Sequence, residues 1–472
     1  MTRLGLGFGR MIDPGVGRVL YGRHMSAVAS YTYLRPSTLT KESGLVLQTS
    51  GGLAEREGKV AYPRYFAGFL TAPGQVAAGL LAVSEVSRAR YAGTGPPADL
   101  DPIVTAAPGR LRFEALSGCR GVYVRLDVLP AALDGRLVDH GTTNVDIGPS
   151  LRAALARVDD AGPLRLKVGP DSFSISIVDS PPVRRTAALP TRWLRGFVDV
   201  PVLASQFDAR PDQFDGRSDQ FDARPDRFDA RPELSVERAA EVLRESPDGR
   251  LAAILPMLRH ATRVRAYGPP VAASSTATAS GWELETPTLR LSVMLSPTPE
   301  RGFSGGAAAA AVDGDRAIDD AGLVDGLLAW DTIVDVAELA AVSGLSPTRI
   351  RDALGQLAIA GRVGYDLAEG SYFRRILPYG VRAAGRLNPR LIGARQLVCT
   401  GAVTLGIDRA EVRGKTEGQA VHVVGGSPLS CTCAWWVRVG ADRGPCTHML
   451  AVTLALAEPS AGPRESTVED SE

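Results

Sequence analysis

Ser430-Cys431-Thr432-Cys433-Ala434-Trp435-Trp436 and Gly444-Pro445-Cys446-Thr447-His448-Met449-Leu450-Ala451-Val452 set the character of the C-terminal part of this chain. Three of its five cysteines lie in these two stretches, beside one of its five histidines. In extended backbone, side chains two apart point the same way, so each pair can grip one ion from one side. Two thiolate–thiolate and thiolate–imidazole pairs supply the four soft donors of a tetrahedral zinc site. A disulfide between Cys431 and Cys433 would close a strained ring. Four protein ligands leave no position for water or substrate, so the single Zn2+ held by Cys431, Cys433, Cys446 and His448 is structural. It is a folding device for a segment with little core of its own.

C-x-C followed after a short gap by C-x-H, with these flanks, resembles the SWIM zinc finger. The order of parts along the chain looks like the SWIM zinc-finger proteins of bacterial (actinobacterial) type. Residues 420–424 read as a strand, 425–428 as a turn, and Met449, Leu450, Val452, Thr453 and Leu456 as one apolar helical face, which gives a ββα finger. His422 falls outside the motif and reads as a strand residue. The resemblance implies binding of DNA or of protein without choosing between them. Relatives of this layout tend to be encoded beside MoxR-type AAA ATPases and von Willebrand A-domain proteins, which implies an adaptor role with such a partner.

Composition bounds the remainder. At 472 residues the chain holds two to four domains, and a net charge of +1 gives no global pull toward nucleic acid. No stretch approaches about 18 consecutive apolar residues, so no membrane span is expected. The first 25 residues lack an apolar signal core and read as a disordered extension, with translation starting at Met1 or Met25. A cytoplasmic location follows. Cys119, His140 and Asn144 stand in the chain order of papain-like proteases, but no local signature surrounds Cys119. No phosphate-binding G-x-x-x-x-G-K-[ST] loop occurs. The expectation is a protein that is not an enzyme and takes no small-molecule substrate.

The expected fold is α+β and multidomain: a mixed N-terminal domain, a winged-helix-like module and a C-terminal SWIM-type ββα zinc finger. Residues 26–200 form the mixed domain, with a helix over 75–91 and strands at 110–113, 121–129, 164–168 and 173–178. The segment around Trp193 closes it. Residues 201–234 carry a heptad repeat of the type Q-F-D-A-R-P-D. One apolar anchor per unit (Phe207, Phe214, Phe221, Phe228), frequent proline and balanced charge make it a disordered linker. Residues 235–301, with helices at 235–244 and 251–260 and strands at 282–285 and 289–295, are a small α+β domain or a continuation of the first. Residues 302–317 form a second linker, 379–400 a connector, 401–457 the finger and 458–472 a disordered acidic tail.

Residues 318–378 carry the best helical patterning. Apolar Leu323, Leu327 and Leu328 mark one helix and 336–343 a second, ended by Gly344. Ser346 then caps a third with Pro347 at its first position, burying Ile350, Ala353, Leu354 and Leu357. Strands at 362–367 and 371–377 follow around a wing at 368–370. Helix, turn, helix and wing resemble a winged helix in order and length. In such a fold Arg349 and Arg351 face the bases and Arg374 and Arg375 hold the phosphate backbone. Acidic residues, Asp352, Asp366 and Glu369 among them, leave the module without net positive charge, which weakens that reading. The competing one is a protein partner contacting Trp435 and Trp436 between the ligand pairs.

Overall fold

The computed structural model describes residues 27–51, 62–92, 101–170, 183–189, 191–207, 233–244, 249–267, 279–296, 302–303, 315–378, 389–414, 421–426, 429–439 and 445–457. The expected N-terminal extension, the strand at 173–178, most of the repeat and the acidic tail lie outside these residues.

The chain begins with β1 (Ala27–Tyr33), β2 (Thr38–Thr40), β3 (Gly44–Leu47), β4 (Phe66–Leu70) and helix α1 (Pro73–Arg88). Then come β5 (Ile103–Ala107), β6 (Arg110–Leu116), β7 (Val122–Val128), β8 (Leu133–Leu137) and β9 (Gly141–Asn144). Helix α2 (Pro149–Leu155), β10 (Leu164–Val168), β11 (Val183–Leu189) and helix α3 (Thr191–Phe207) follow. Helix α3 thus runs past position 200 and takes in the first repeat's phenylalanine, Phe207, whose ring lies 6.3 Å from that of Tyr267.

Beyond the repeat come β12 (Glu233–Leu234), α4 (Val236–Arg244), a 3₁₀ segment over Ala252–His260 that contains Pro256, β13 (Arg263–Tyr267), β14 (Ser280–Glu285) and β15 (Leu289–Leu295). β15 pairs antiparallel with β7 along its whole length, so the stretch completes an eight-stranded sheet of order β12-β13-β14-β15-β7-β6-β5-β9. A second sheet has the order β2-β3-β10-β4-β8.

The period of two in β7 explains both faces of the large sheet. Val122, Val124, Leu126 and Val128 point to a core shared with Leu80 and Val83 of α1 and with Leu111, Phe113, Leu291 and Val293. Gly79 lets α1 lie close to the sheet: an added Cβ would come 2.6 Å from a Leu126 methyl. The alternate residues carry charge. Across the strands one register row reads Thr105, Arg112, Asp127, Arg290, Glu285, Arg263. The adjacent row reads Ile103, Glu114, Arg125, Ser292, Glu283, Arg265. Opposite charges facing each other across strands stabilise the pairing.

The remaining elements are α5 (Asp315–Leu327), α6 (Val336–Ser343), α7 (Pro347–Ile359), the hairpin of β16 (Val363–Asp366) and β17 (Ser371–Arg374), and α8 (Pro389–Cys399). Asp335 caps α6 by accepting from the Ala337 and Glu338 amides, and Ser346 caps α7 by accepting from the Arg349 amide. Gly344 ends α6 in the left-handed region at φ 72°, where a Cβ is costly. Helix α5 starts at Asp315, inside the expected linker.

The hairpin packs on the charged face of the large sheet. Asp366, fully buried, meets four guanidiniums: Arg125 at 2.9 Å, Arg110 at 3.2 Å, Arg290 at 3.5 Å and Arg112 at 3.6 Å. Phe373 lies beneath Arg112 at 4.1 Å from its ring centre. Arg375 crosses the other way, to Glu114 at 2.7 Å, and donates to the carbonyls of Phe197 and Val363. Burial acts to raise the Asp366 pKa, but the four guanidiniums outweigh it and hold the carboxyl well below its ordinary range. Glu283, one strand away, goes the other way: burial pushes it up to about 7 against Arg290 and Arg265.

Candidate metal centre

The C-terminal part is a four-stranded antiparallel sheet of β18 (Val403–Leu405), β19 (Arg409–Arg413), β20 (Val421–Gly425) and β21 (Ser430–Cys431). Helices α9 (Ala434–Val439) and α10 (Thr447–Ala457) follow. The expected ββα finger therefore has two further strands and a short helix between its ligand pairs. It also has a helical neighbour, since α10 packs along α8.

The first ligand pair leaves the end of β21 and enters α9; the second leads into the first turn of α10. The donor atoms of Cys431, Cys433, Cys446 and His448 all lie within 4.8 Å of one another. His448 Nδ1 is 3.9 Å from Cys431 Sγ and 4.0 Å from Cys446 Sγ. The three sulfurs are 5%, 4% and 1% exposed by residue, and each accepts a backbone amide. Cys433 N–H donates to Cys431 at 3.4 Å, Trp436 N–H to Cys433 at 3.3 Å and Met449 N–H to Cys446 at 3.5 Å. Amide donors aimed at sulfur stabilise thiolate, the form that binds metal. The Cys431 thiol, then His448 and the Met449 amide, bring the Cys446 thiol down to about 4 against its burial, while Cys431 itself is pushed up. This donor set, with a mutual spacing that one tetrahedral ion can bridge, fits a single structural Zn2+.

Two groups outside the motif support the ligands. His422 of β20 stacks on His448, ring centres 4.2 Å apart at 40°. It shares its sheet face with Val412, its partner in β19 and part of the core. Arg390 of α8 donates to the Pro445 carbonyl at 3.0 Å and lies 5.0 Å over the Trp435 ring. Trp435 and Trp436 are both half-buried against the core that contains the cysteines. On the outer side of α9, Val437 is 73% exposed.

The arginines expected to touch nucleic acid are differently employed. Arg349 forms a fork-to-fork pair with Asp320 of α5 at 2.8 and 2.6 Å. Arg374 donates to the Asp325 carbonyl at 3.0 Å and lies 3.4 Å from its carboxylate. Arg375 is fully buried against Glu114 and cannot reach a phosphate. Arg351 is half-buried on α7. Cys119 is buried, with its sulfur accepting the Tyr91 amide at 3.4 Å, and His140 stands exposed beside Trp330 at 5.3 Å between ring centres. No helix among the described residues is long and apolar enough to cross a membrane.

Residues 416–457 match the SWIM zinc finger family. This segment contains all four ligands and α10. No curated protein matches the chain. Among solved structures, a similar one is the proliferating cellular nuclear antigen of Entamoeba histolytica. The match is 9% identical and covers 49% of this chain and 98% of that one, at a TM-score of 0.29.

Proposed function

We propose that this is a non-enzymatic interaction adaptor whose SWIM finger, made rigid by zinc, presents a protein-binding surface. The observation that carries the reading is the fate of the arginines. Arg349, Arg374 and Arg375, the cations a winged helix would offer to DNA, are each paired with a carboxylate of this same chain. An arginine already paired with a carboxylate of its own chain has less charge to offer a phosphate backbone, whether buried like Arg375 or partly exposed like Arg349, so the main source of DNA affinity is weak here. The 315–378 module is winged-helix-like in its order of helices and hairpin. Its hairpin packs on the charged sheet face, with Glu369 of the turn paired to Arg110 and Arg290. The exposed apolar side chains of the finger include Ile407, Val421, Leu456 and Val437, and of these Val437 lies on a helix fixed at one end by Cys433 and backed by two tryptophans. Exposed apolar side chains on a pre-ordered element bind at small entropic cost. The partner class suggested by the resemblance to bacterial SWIM proteins is a MoxR-type ATPase or a von Willebrand A-domain protein.

The test is co-purification of a candidate ATPase or von Willebrand A-domain protein with the zinc-loaded chain, its Val437→Glu variant and its Arg351→Glu variant. Retention by the parent and Arg351→Glu chains but not by Val437→Glu supports the adaptor reading. If duplex DNA instead binds in the micromolar range and Arg351→Glu alone abolishes it, the winged-helix module is a DNA reader and the proposal fails.

A further inference from the structure

The imidazole is the one ligand of the metal centre whose orientation its own residue does not fix. A thiolate offers a single atom, placed once its χ1 rotamer is set, and each of the three sulfurs also accepts a backbone amide. An imidazole donates in the plane of its ring, and its χ2 torsion is broad rather than confined to staggered wells. A metal-bound histidine is normally held by a hydrogen bond from its far nitrogen to a carboxylate, a backbone carbonyl or water. His448 turns Nδ1 toward the sulfurs, 3.9 Å from Cys431 and 4.0 Å from Cys446, and no hydrogen bond from a described residue reaches its Nε2. What it has instead is the ring of His422, 4.2 Å away between centres at a tilt of 40°. The sheet explains why that ring is there. His422 and Val424 lie two apart in β20 and share a face. Val424 pairs with Cys431 across the sheet, and Val412, opposite His422, belongs to the same core. The face that brings in the first ligand therefore brings in His422 as well.

We infer that His422 is a positioning residue of the zinc centre: its ring, stacked on His448, holds that imidazole in the plane from which Nδ1 meets the ion. His422 lies outside the C-x-C and C-x-H pairs, and its nitrogens are not among the four donors that converge within 4.8 Å. It acts through its ring face. A bound cation would draw charge from the His448 ring and leave it electron-poor, and an electron-poor ring is attracted to a neighbouring π-face. The stack thus does for the fourth ligand what the amide donors do for the three sulfurs. The inference rests on the zinc held by these four ligands and stands whatever the finger binds.

The experiment measures the zinc content of the full chain and then its zinc affinity, by competition with a chromophoric chelator, beside that of variants at β20. His422→Ala should weaken zinc binding about 10- to 100-fold, the range that follows loss of an outer partner of a metal-bound histidine. His422→Phe keeps a ring face and has no nitrogen, so it should bind zinc close to the parent. Val421→Ala, the next residue on the strand and exposed, should also match the parent, which separates the ring from strand propensity. With cobalt in place of zinc, the parent and His422→Phe should share one visible spectrum and His422→Ala should depart from it. Circular dichroism at saturating zinc checks that every chain is folded. Equal zinc affinity of His422→Ala and the parent overturns the inference. So does His422→Phe as weak as His422→Ala, since His422 would then act through a nitrogen, or Val421→Ala as weak as both. A parent chain without zinc overturns the centre itself, and the inference with it.

Discussion

At the scale of single residues, the chain holds charge in two unlike ways. In the finger, three thiols and an imidazole converge closely enough for one cation to bridge them. Cys433→Ser should lower bound zinc from one per chain to well below one and loosen α9 and α10, read by metal analysis and by amide exchange; full zinc content in the variant would remove the assignment. At the sheet, Asp366 is the anion that four guanidiniums need. Asp366→Asn removes the one carboxylate that all four guanidiniums share, leaving Asp127 to Arg112 and Arg125 and Glu369 to Arg110 and Arg290, and should cost about 3 kcal/mol in urea unfolding. Its depressed pKa means that its contribution is present above the unfolded value near 4 and is lost as pH falls below that. Glu283 has the opposite sign. With a folded pKa near 7 against about 4.5 unfolded, it costs stability progressively as pH rises from about 4.5 to 7. Glu283→Gln should therefore flatten the decline in stability between pH 5 and 8, measured by chemical unfolding at each pH.

At the scale of elements, legibility in the sequence followed the range of the interaction. The zinc ligands lie within eighteen residues of one another, and the Ser346 cap acts on an amide three residues on, so both are visible in a short window. The third helix of the module buries Ile350, Ala353, Leu354 and Leu357 as its period of 3.6 dictates. The charged face of the large sheet was not legible. Arg112, Arg290 and Asp366 come from segments more than 75 residues apart, and each alone reads as an ordinary solvated charge. For the same reason Arg375 looks in sequence like a surface cation and is in fact buried. The finger has an analogous hidden dependence. Its ligands lie within 416–457, but β18 and β19 complete its sheet and α8 covers α10. A peptide of residues 389–457 should fold cooperatively on adding zinc, whereas 416–457 should bind the metal with little ordered amide dispersion in its spectrum. Equal dispersion for both peptides would mean the shorter one is self-sufficient.

At the scale of the whole molecule, one buried cluster runs from Val324, Ile350 and Leu354 of the helical module into Cys431, Cys446 and Leu450 of the finger. The large sheet has its own core. Chelation should therefore accelerate amide exchange through α8, α10 and, more weakly, α7, and leave β6, β7 and β15 protected; uniform exchange across all of them would mean a single cooperative unit. The heptad repeat enters between two anchored points, with Phe207 set against Tyr267 at the end of α3 and β12 paired to β13 in the large sheet. Closing a connection between fixed ends costs only about 0.6 kcal/mol more for each doubling of its length. Tandem copies in a gene are gained and lost in whole units during replication, each change keeping the reading frame. A chain carrying one whole unit more or fewer should therefore unfold within about 0.6 kcal/mol of the parent, measured by chemical unfolding.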